Sequence, residues 1–376
     1  MLRAAGRGEI RMSVVMHLWW FRKETQGSFD CVRGGSPFIL HTRQNQGNRQ
    51  QAWTDREEQG MEYRSFGKAG VKVSRIALGL GLRGQADEKE AQRLVEHAID
   101  GGINFVDCAN LYGPLDDREN KGQSEIIVGK ALASRRDRIV LTSKVFAPVG
   151  DDPNDTGLSA FHILREIDNS LRRLNTDHLD FYLVHNYDDT TPQEETLRAL
   201  DDIVRSGKAR YIGCCNHQAW QVCRALWISD SLGSVPYVGI QNQYNLLTRG
   251  LETEMFGLIR NQALGAMAYS PLAVGLLSGA YRPGERPPAG TFWGNRSKDY
   301  EQQTAGGVSS TMNTLFEVAE ELNKTPAQIA IAWILSHNEI TTAISGADNT
   351  DQIDDVIGSV GWTLPEELRS KLDANS

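Results

Sequence analysis

From residue 75 onward the chain alternates short apolar runs with amphipathic helical patterns, about eight times over. RIALGL (75–80) precedes DEKEAQRLVEHAIDGG, where Ala91, Leu94, Val95 and Ala98 recur at helical spacing. INFVD (103–107) precedes SEIIVGKALAS, IVLTSKV (139–145) precedes a helical run that Ser159 is placed to cap, and LDFYLVHN (179–186) precedes a run opened by Pro192. ARYIGCCN (209–216), VGIQNQYN (238–245), GAMAYSPL (265–272) and TTAISGA (341–347) continue the series. Repeated strand–helix units require a parallel sheet covered by helices, and eight of them is the count of a (β/α)8 TIM barrel, an α/β fold. An open doubly wound sheet, the alternative, would use a Gly-rich phosphate turn after an early strand, where GLGLRG (79–84) stands. The count of eight units decides for the barrel. Ahead of it, YRSFGKAGVKVS (63–74) predicts an N-terminal β-hairpin. The connection 273–312 after strand 7 is too long for a plain link and reads as a lid or binding loop.

Barrel strands deliver their chemistry at their C-terminal ends. Asp107 ends strand two with Tyr112 just beyond it, Lys144 ends strand three, and His185 ends strand four. A lysine and a histidine inside such apolar runs are not what packing alone selects. Each by itself has a plain structural explanation, Lys144 reaching to the rim and His185 as a satisfied core residue. Four compatible groups on successive strands make a constellation. A tyrosine becomes a usable acid when a cation lowers its pKa, and Lys144 is the expected cation. Asp107 would keep that lysine charged, and His185 could hydrogen-bond the same substrate oxygen. Such a set suits proton donation to a carbonyl oxygen while a reductant adds to the carbon. Unless Lys144 forms a Schiff base, no side chain in it is an evident nucleophile, so a nicotinamide cofactor would complete it.

Charge and composition exclude several other classes. The 376 residues carry a formal net charge of −8 and no Lys/Arg cluster, which disfavours nucleic acid and anionic membranes as partners. No apolar run approaches the roughly 18–20 residues needed to span a bilayer. Five cysteines, odd in number and without metal-finger spacing, suggest reduced thiols, no metal site and a cytoplasmic setting. Residues 1–60 differ from the rest: they hold nine Lys/Arg against six Asp/Glu, while the remaining 316 hold 31 against 42. Their isolated run SVVMHLWWF is short for a secretory signal, and no small-residue cleavage pattern follows it. An Arg-rich transit segment is a second reading. The segment is expected to be a disordered extension or upstream sequence before a start at Met61, with the barrel occupying 61–376.

The ordered motifs FVDCANLYG, LTSKV, FYLVHN, YIGCCN, IQNQYN and AYSPL, with SLRRL, GKARYIG and GLLSG, resemble the aldo-keto reductases. The nearest branch is the bacterial one related to potassium-channel β subunits. The resemblance runs from about Met61 to the C-terminus. It implies a TIM barrel, NADPH (or NADH) as cofactor, a small carbonyl or sugar substrate, and Tyr112 as proton donor beside Asp107, Lys144 and His185. It further implies that Asn216 and Gln241 hold the nicotinamide carboxamide and that Tyr269 stacks on the ring. Ser270, Leu272, Gly275 and Ser278 would wrap the pyrophosphate, with Gln352 and Asp355 near the adenosine end. Cys215, Gln243, Ala280 and Val356 depart from residues common at their positions. Asp348 stands where relatives binding a 2′-phosphate lack a carboxylate, which on charge favours NADH, while family habit favours NADPH. Two further readings are a β-subunit-like protein whose bound cofactor reports redox state, and a Schiff-base aldolase on Lys144. The sequence does not name the substrate; Phe146, Trp220 and Trp293 could line its pocket, Trp220 equally being core. A homo-oligomer is compatible with it.

Overall fold

The computed structural model describes residues 60–81, 87–114 and 118–376. The expectation for residues 1–60 therefore falls outside the described residues up to Gly60. Strands β1 (Tyr63–Ser65) and β2 (Lys72–Ser74) form an antiparallel pair, Tyr63 opposite Ser74, as the hairpin reading requires. Eight parallel strands then close into a barrel: β3 (Ile76–Gly79), β4 (Phe105–Asp107), β5 (Val140–Val145), β6 (Leu179–Val184), β7 (Ala209–Cys215), β8 (Tyr237–Gln243), β9 (Gly265–Tyr269) and β10 (Thr342–Ser345). Neighbours follow chain order, and β10 closes on β3 through Ala343 opposite Ile76. GLGLRG spells G-x-G-x-x-G after β3, yet a closed barrel has no switch point between strands for such a turn to serve.

Alternation along each strand sorts side chains between two cores. In β6, Phe181 and Leu183 point into the barrel, while Tyr182 and Val184 face the helical layer. The interior is closed at its N-terminal end by the hairpin. Phe66, fully buried, sets its ring 5.9 Å from Phe105 and 4.7 Å from Phe181. It enters because Gly239 and Gly265 lack side chains; a Cβ on either would lie 2.4 Å from the Phe66 ring.

The helices begin where their caps allow. Ser159 accepts from the His162 N–H and opens Ala160–Leu174, as expected, and Thr325 with Gln328 forms a capping box for Pro326–Ser336. Pro192 sits one residue earlier than a first-turn position, at the N-cap of Gln193–Arg205. The four apolar positions expected to face inward on Glu88–Asp100 are all buried. The connection after β9 is less loop-like than expected. It contains the short helix Ser297–Gln303, and its last residues belong to the helix Gly307–Glu321. A final helix, Glu366–Ala374, follows the series read from the sequence.

Candidate active site

Asp107 is the last residue of β4, Lys144 the penultimate residue of β5, and His185 directly follows β6, so three strands aim these groups at one mouth. Lys144 is fully buried, and its ammonium hydrogens have three acceptors: Asp107 Oδ2 at 2.7 Å, the Cys108 carbonyl at 2.9 Å and Tyr112 Oη at 3.4 Å. Burial opposes the lysine charge, but the adjacent carboxylate outweighs it and holds the ammonium well above its ordinary range. Lys144 is therefore held as a cation, a state that disfavours attack as a Schiff-base nucleophile. The other Asp107 oxygen accepts from Thr142 Oγ1 at 2.6 Å and from Gln241 Nε2 at 2.9 Å. Three of the roughly four acceptor sites of this carboxylate are thus committed within the protein, and it orients the lysine.

Tyr112 meets the expected neighbours but not the expected titration. Its Oη lies 3.3 Å from His185 Nε2, and the ammonium sits 4.7 Å from its ring centre. Burial pushes the phenol up to about 12, against the downward pull of Lys144. The sequence predicts that the cation wins. In the folded site desolvation wins, so Tyr112 is protonated across the physiological range. His185 is pushed down to about 3 by burial and by the Lys144 charge, so its imidazole is neutral. Its Nδ1 is buried with no hydrogen-bond partner among the described residues. The two contacts at Tyr112 Oη, 3.3 and 3.4 Å, are long, as in sites that tighten only around a bound oxygen.

A second layer steadies the loop carrying Tyr112. Asn110 Nδ2 donates to Glu166 at 2.9 Å, and Arg173 joins Glu166 to Glu125. Glu125 accepts from Ser143 Oγ at 2.5 Å, on the strand that bears Lys144. Sequence reasoning missed this layer and missed Thr142. The latter had one signal, its position two residues before Lys144 on the same face of β5.

The cofactor candidates fall into three groups. Gln241 belongs to the catalytic cluster, its Nε2 committed to Asp107 and its carbonyl oxygen free of any hydrogen bond to a described residue. Asn216 and Tyr269 form a pair, Tyr269 Oη donating to Asn216 Oδ1 at 2.8 Å, while Asn216 Nδ2 donates to the His185 carbonyl at 2.9 Å. Ser270, Leu272, Gly275 and Ser278 lie in a tight turn after β9. Left-handed backbone appears there at Ser270, Ala273 and Val274, with φ of 54°, 47° and 54°, and at Gly275. Left-handed non-glycine residues cost on the order of 1–3 kcal/mol each and gather at ligand sites. Trp293 pins this turn through an indole N–H to the Val274 carbonyl at 2.9 Å and is itself buried. Ser278 Oγ donates to the Gly275 carbonyl at 2.7 Å.

Gln352 and Asp355 stand apart on the helix Thr350–Ile357. Gln352 accepts from the Asp348 N–H, and Asp355 accepts from Thr325 Oγ1, both at 2.8 Å. Val356 is buried. Cys215 is the last residue of β7, opposite Gln241; it is buried with Phe181 and Met267, and burial pushes its thiol up against the pull of the nearby Lys144. Trp220 is half exposed at the start of the helix Ala219–Leu232, its ring 6.0 Å from that of Tyr187 just beyond His185, so it is not a core residue. Phe146 is partly buried at the end of β5.

The sequence profile of the aldo/keto reductase family matches residues 75–375, which include every residue of this cluster. The chain belongs to the aldo/keto reductase family. It is 36% identical over 321 residues to the uncharacterized oxidoreductase YrpG of Bacillus subtilis, covering 83% of this chain and 95% of that protein. A probable voltage-gated potassium channel subunit beta of Arabidopsis thaliana is 35% identical over 307 residues, 80% of this chain and 91% of the relative. Versiconal hemiacetal acetate reductase of Aspergillus parasiticus is 34% identical over 349 residues, 82% of this chain and 95% of the relative. In general terms, these matches support an NAD(P)-dependent oxidoreductase.

Proposed function

We propose that this aldo/keto reductase reduces an aldehyde or ketone to the alcohol, or runs the reverse dehydrogenation of an alcohol or sugar, with Tyr112 as the proton donor. The observation carrying this reading is the chain Asp107–Lys144–Tyr112–His185, in which a fixed cation and a neutral imidazole flank one protonated phenol. A carbonyl oxygen placed between Tyr112 Oη and His185 Nε2 would accept the phenolic proton. Lys144 then stabilises the phenolate left behind, at a distance already near hydrogen bonding, and Asp107 keeps that ammonium charged and in place. The neutral His185 orients the oxygen without competing as an acid.

NADPH (or NADH) fits the remaining residues: the Gln241 carbonyl oxygen is available for a carboxamide, and the strained turn from Ser270 to Gly275 offers close backbone approach for a pyrophosphate. When bound, the nicotinamide supplies the hydride to the carbonyl carbon. Asn216 and Tyr269 would border its ring, and Leu272 and Ser278 its phosphates. Gln352 and Asp355 would set the shape of the adenosine end, since both side chains are already hydrogen-bonded within the protein. Cys108, Cys214 and Cys215, buried free thiols, support a reducing compartment, which we take to be the cytoplasm. No helix among the described residues is long and apolar enough to cross a membrane. A second reading, a cofactor-binding redox reporter with little turnover, is favoured by the channel-subunit relatives.

Absorbance at the reduced-nicotinamide band decides between the two when aldehydes, ketones and sugars are screened against NADH and NADPH. Turnover with at least one carbonyl class is expected. Tight cofactor retention with no turnover across the panel would overturn the enzymatic reading.

A further inference from the structure

At the end of the barrel opposite the site lies a cavity of about 420 Å³, lined among others by Arg64, Arg75, Ser359, Trp362 and Arg369. Arg75 sits between β2 and β3 and is 2% exposed, yet it makes no ion pair with a described residue. It donates from Nη1 to the Ile340 and Thr341 carbonyls at 2.6 and 2.8 Å, and from Nη2 to the Leu335 carbonyl. Three of its five N–H groups are thereby used, and the Nε–H and one Nη2–H have no acceptor among the described residues. Carbonyl dipoles compensate a buried guanidinium only in part.

The surroundings add a second positive charge, Arg64, which the carboxylate of Glu62 offsets in part. Burial and the nearby Arg64 together push Arg75 down to about 10, and Arg64 itself makes no ion pair with a described residue. Of the two carboxylates on the lining, Glu366 is paired with Arg369 through contacts of 3.0 and 3.1 Å, and Glu62 accepts from the Gly361 N–H at 3.3 Å without an ion pair to either Arg64 or Arg75. Ser359, also 2% exposed, has a buried hydroxyl without a partner. A buried cation with spare donors, a second unpaired arginine and an orphaned hydroxyl meet on one cavity too large for a single water. Oxygens of an anion satisfy all three, and arginines favour phosphate and carboxylate by forked geometry.

We propose that this cavity is a binding site for a small molecule bearing a phosphate or carboxylate group, seated on Arg64, Arg75 and Ser359. It is separate from the mouth, where any pyrophosphate would bind. Trp362 reports on it, since it lines the cavity and its indole N–H donates to the Gly358 carbonyl, next to Ser359.

The test uses the full chain with ¹⁵N-labelled tryptophan, the Trp362 resonance being identified by its loss in Trp362→Phe. Inorganic phosphate and acetate are titrated separately against chloride at constant ionic strength. A saturable shift of that resonance is expected with at least one of them; phosphate alone assigns a phosphorylated ligand, acetate alone a carboxylated one. Arg64→Gln should weaken the binding about tenfold, the loss of one charge-assisted hydrogen bond, and Ser359→Ala should weaken it measurably. Thermal unfolding in chloride checks that both variants fold as the parent does. No saturable shift with either anion, or unchanged affinity in both variants, overturns the proposal.

Discussion

The two ends of the barrel interior solve opposite problems. At the N-terminal end, Phe66 packs edge to face on Phe105 and Phe181, themselves tilted to each other, in an apolar cluster sealed by the hairpin. At the C-terminal end, a few residues further along the same strands, Asp107, Lys144, Tyr112 and His185 stand among polar partners, and the turn that follows β9 holds three non-glycine residues in left-handed backbone. Inside the barrel, one end is assembled for burial and the other carries a strained turn and the unpartnered His185 nitrogen. The difference teaches that the hairpin end holds the stability that lets the mouth keep a buried charge and an idle imidazole nitrogen.

Substitutions can break this contrast. Lys144→Met should have the largest effect. It strands the Asp107 carboxylate in the interior, costing about 3–5 kcal/mol by the usual cost of halving a buried pair, and it should abolish turnover as well. Thermal or urea unfolding beside an activity assay would read both. Phe66→Ala should cost a comparable 3–5 kcal/mol for a deleted buried ring but leave kcat within about twofold, since the cavity opens at the far end. A large loss of kcat in that variant would show the two ends to be coupled.

A smaller effect concerns pH. The His185 imidazole in the folded protein titrates near 3, below the roughly 6.5 of an unfolded histidine, so between those values the unfolded chain binds the extra proton. Stability should therefore rise with pH across that window, with His185 contributing at most about 1.4 kcal/mol per unit. His185→Asn should flatten the slope without removing it, because His217 is likewise pushed down by burial, to about 4. An unchanged slope would mean that the imidazole is solvated. Smallest of all, Trp227→Ser on the outer face of Ala219–Leu232 should change stability by no more than about 0.5 kcal/mol, as Trp227 is 69% exposed.

Much of this is legible in the sequence alone. Alternating strand and helix patterns specify the barrel because each unit must bury its apolar face against the next, and Lys144 and His185 stood out because apolar strands do not otherwise contain them. Other features depend on burial, which a sequence does not display. The Tyr112 shift reversed sign because desolvation exceeds the pull of a cation 3.4 Å away. Trp220 was ambiguous because Ala219, Trp220, Val222, Ala225, Leu226 and Trp227 place apolar groups around most of the helix, so the pattern does not fix which side faces in. The Cys108 carbonyl, a direct Lys144 partner, carries no side-chain signal at all.

The central claim is that Tyr112 gives up the proton and the surrounding charges only hold it ready. Tyr112→Phe removes that single hydroxyl while leaving Lys144 bonded to Asp107 and Cys108. Turnover of a carbonyl substrate identified by the screen should fall about 10²–10⁴-fold with cofactor affinity unchanged, the range for loss of a positioned general acid. Parent-like turnover in a variant that still binds cofactor would contradict the account.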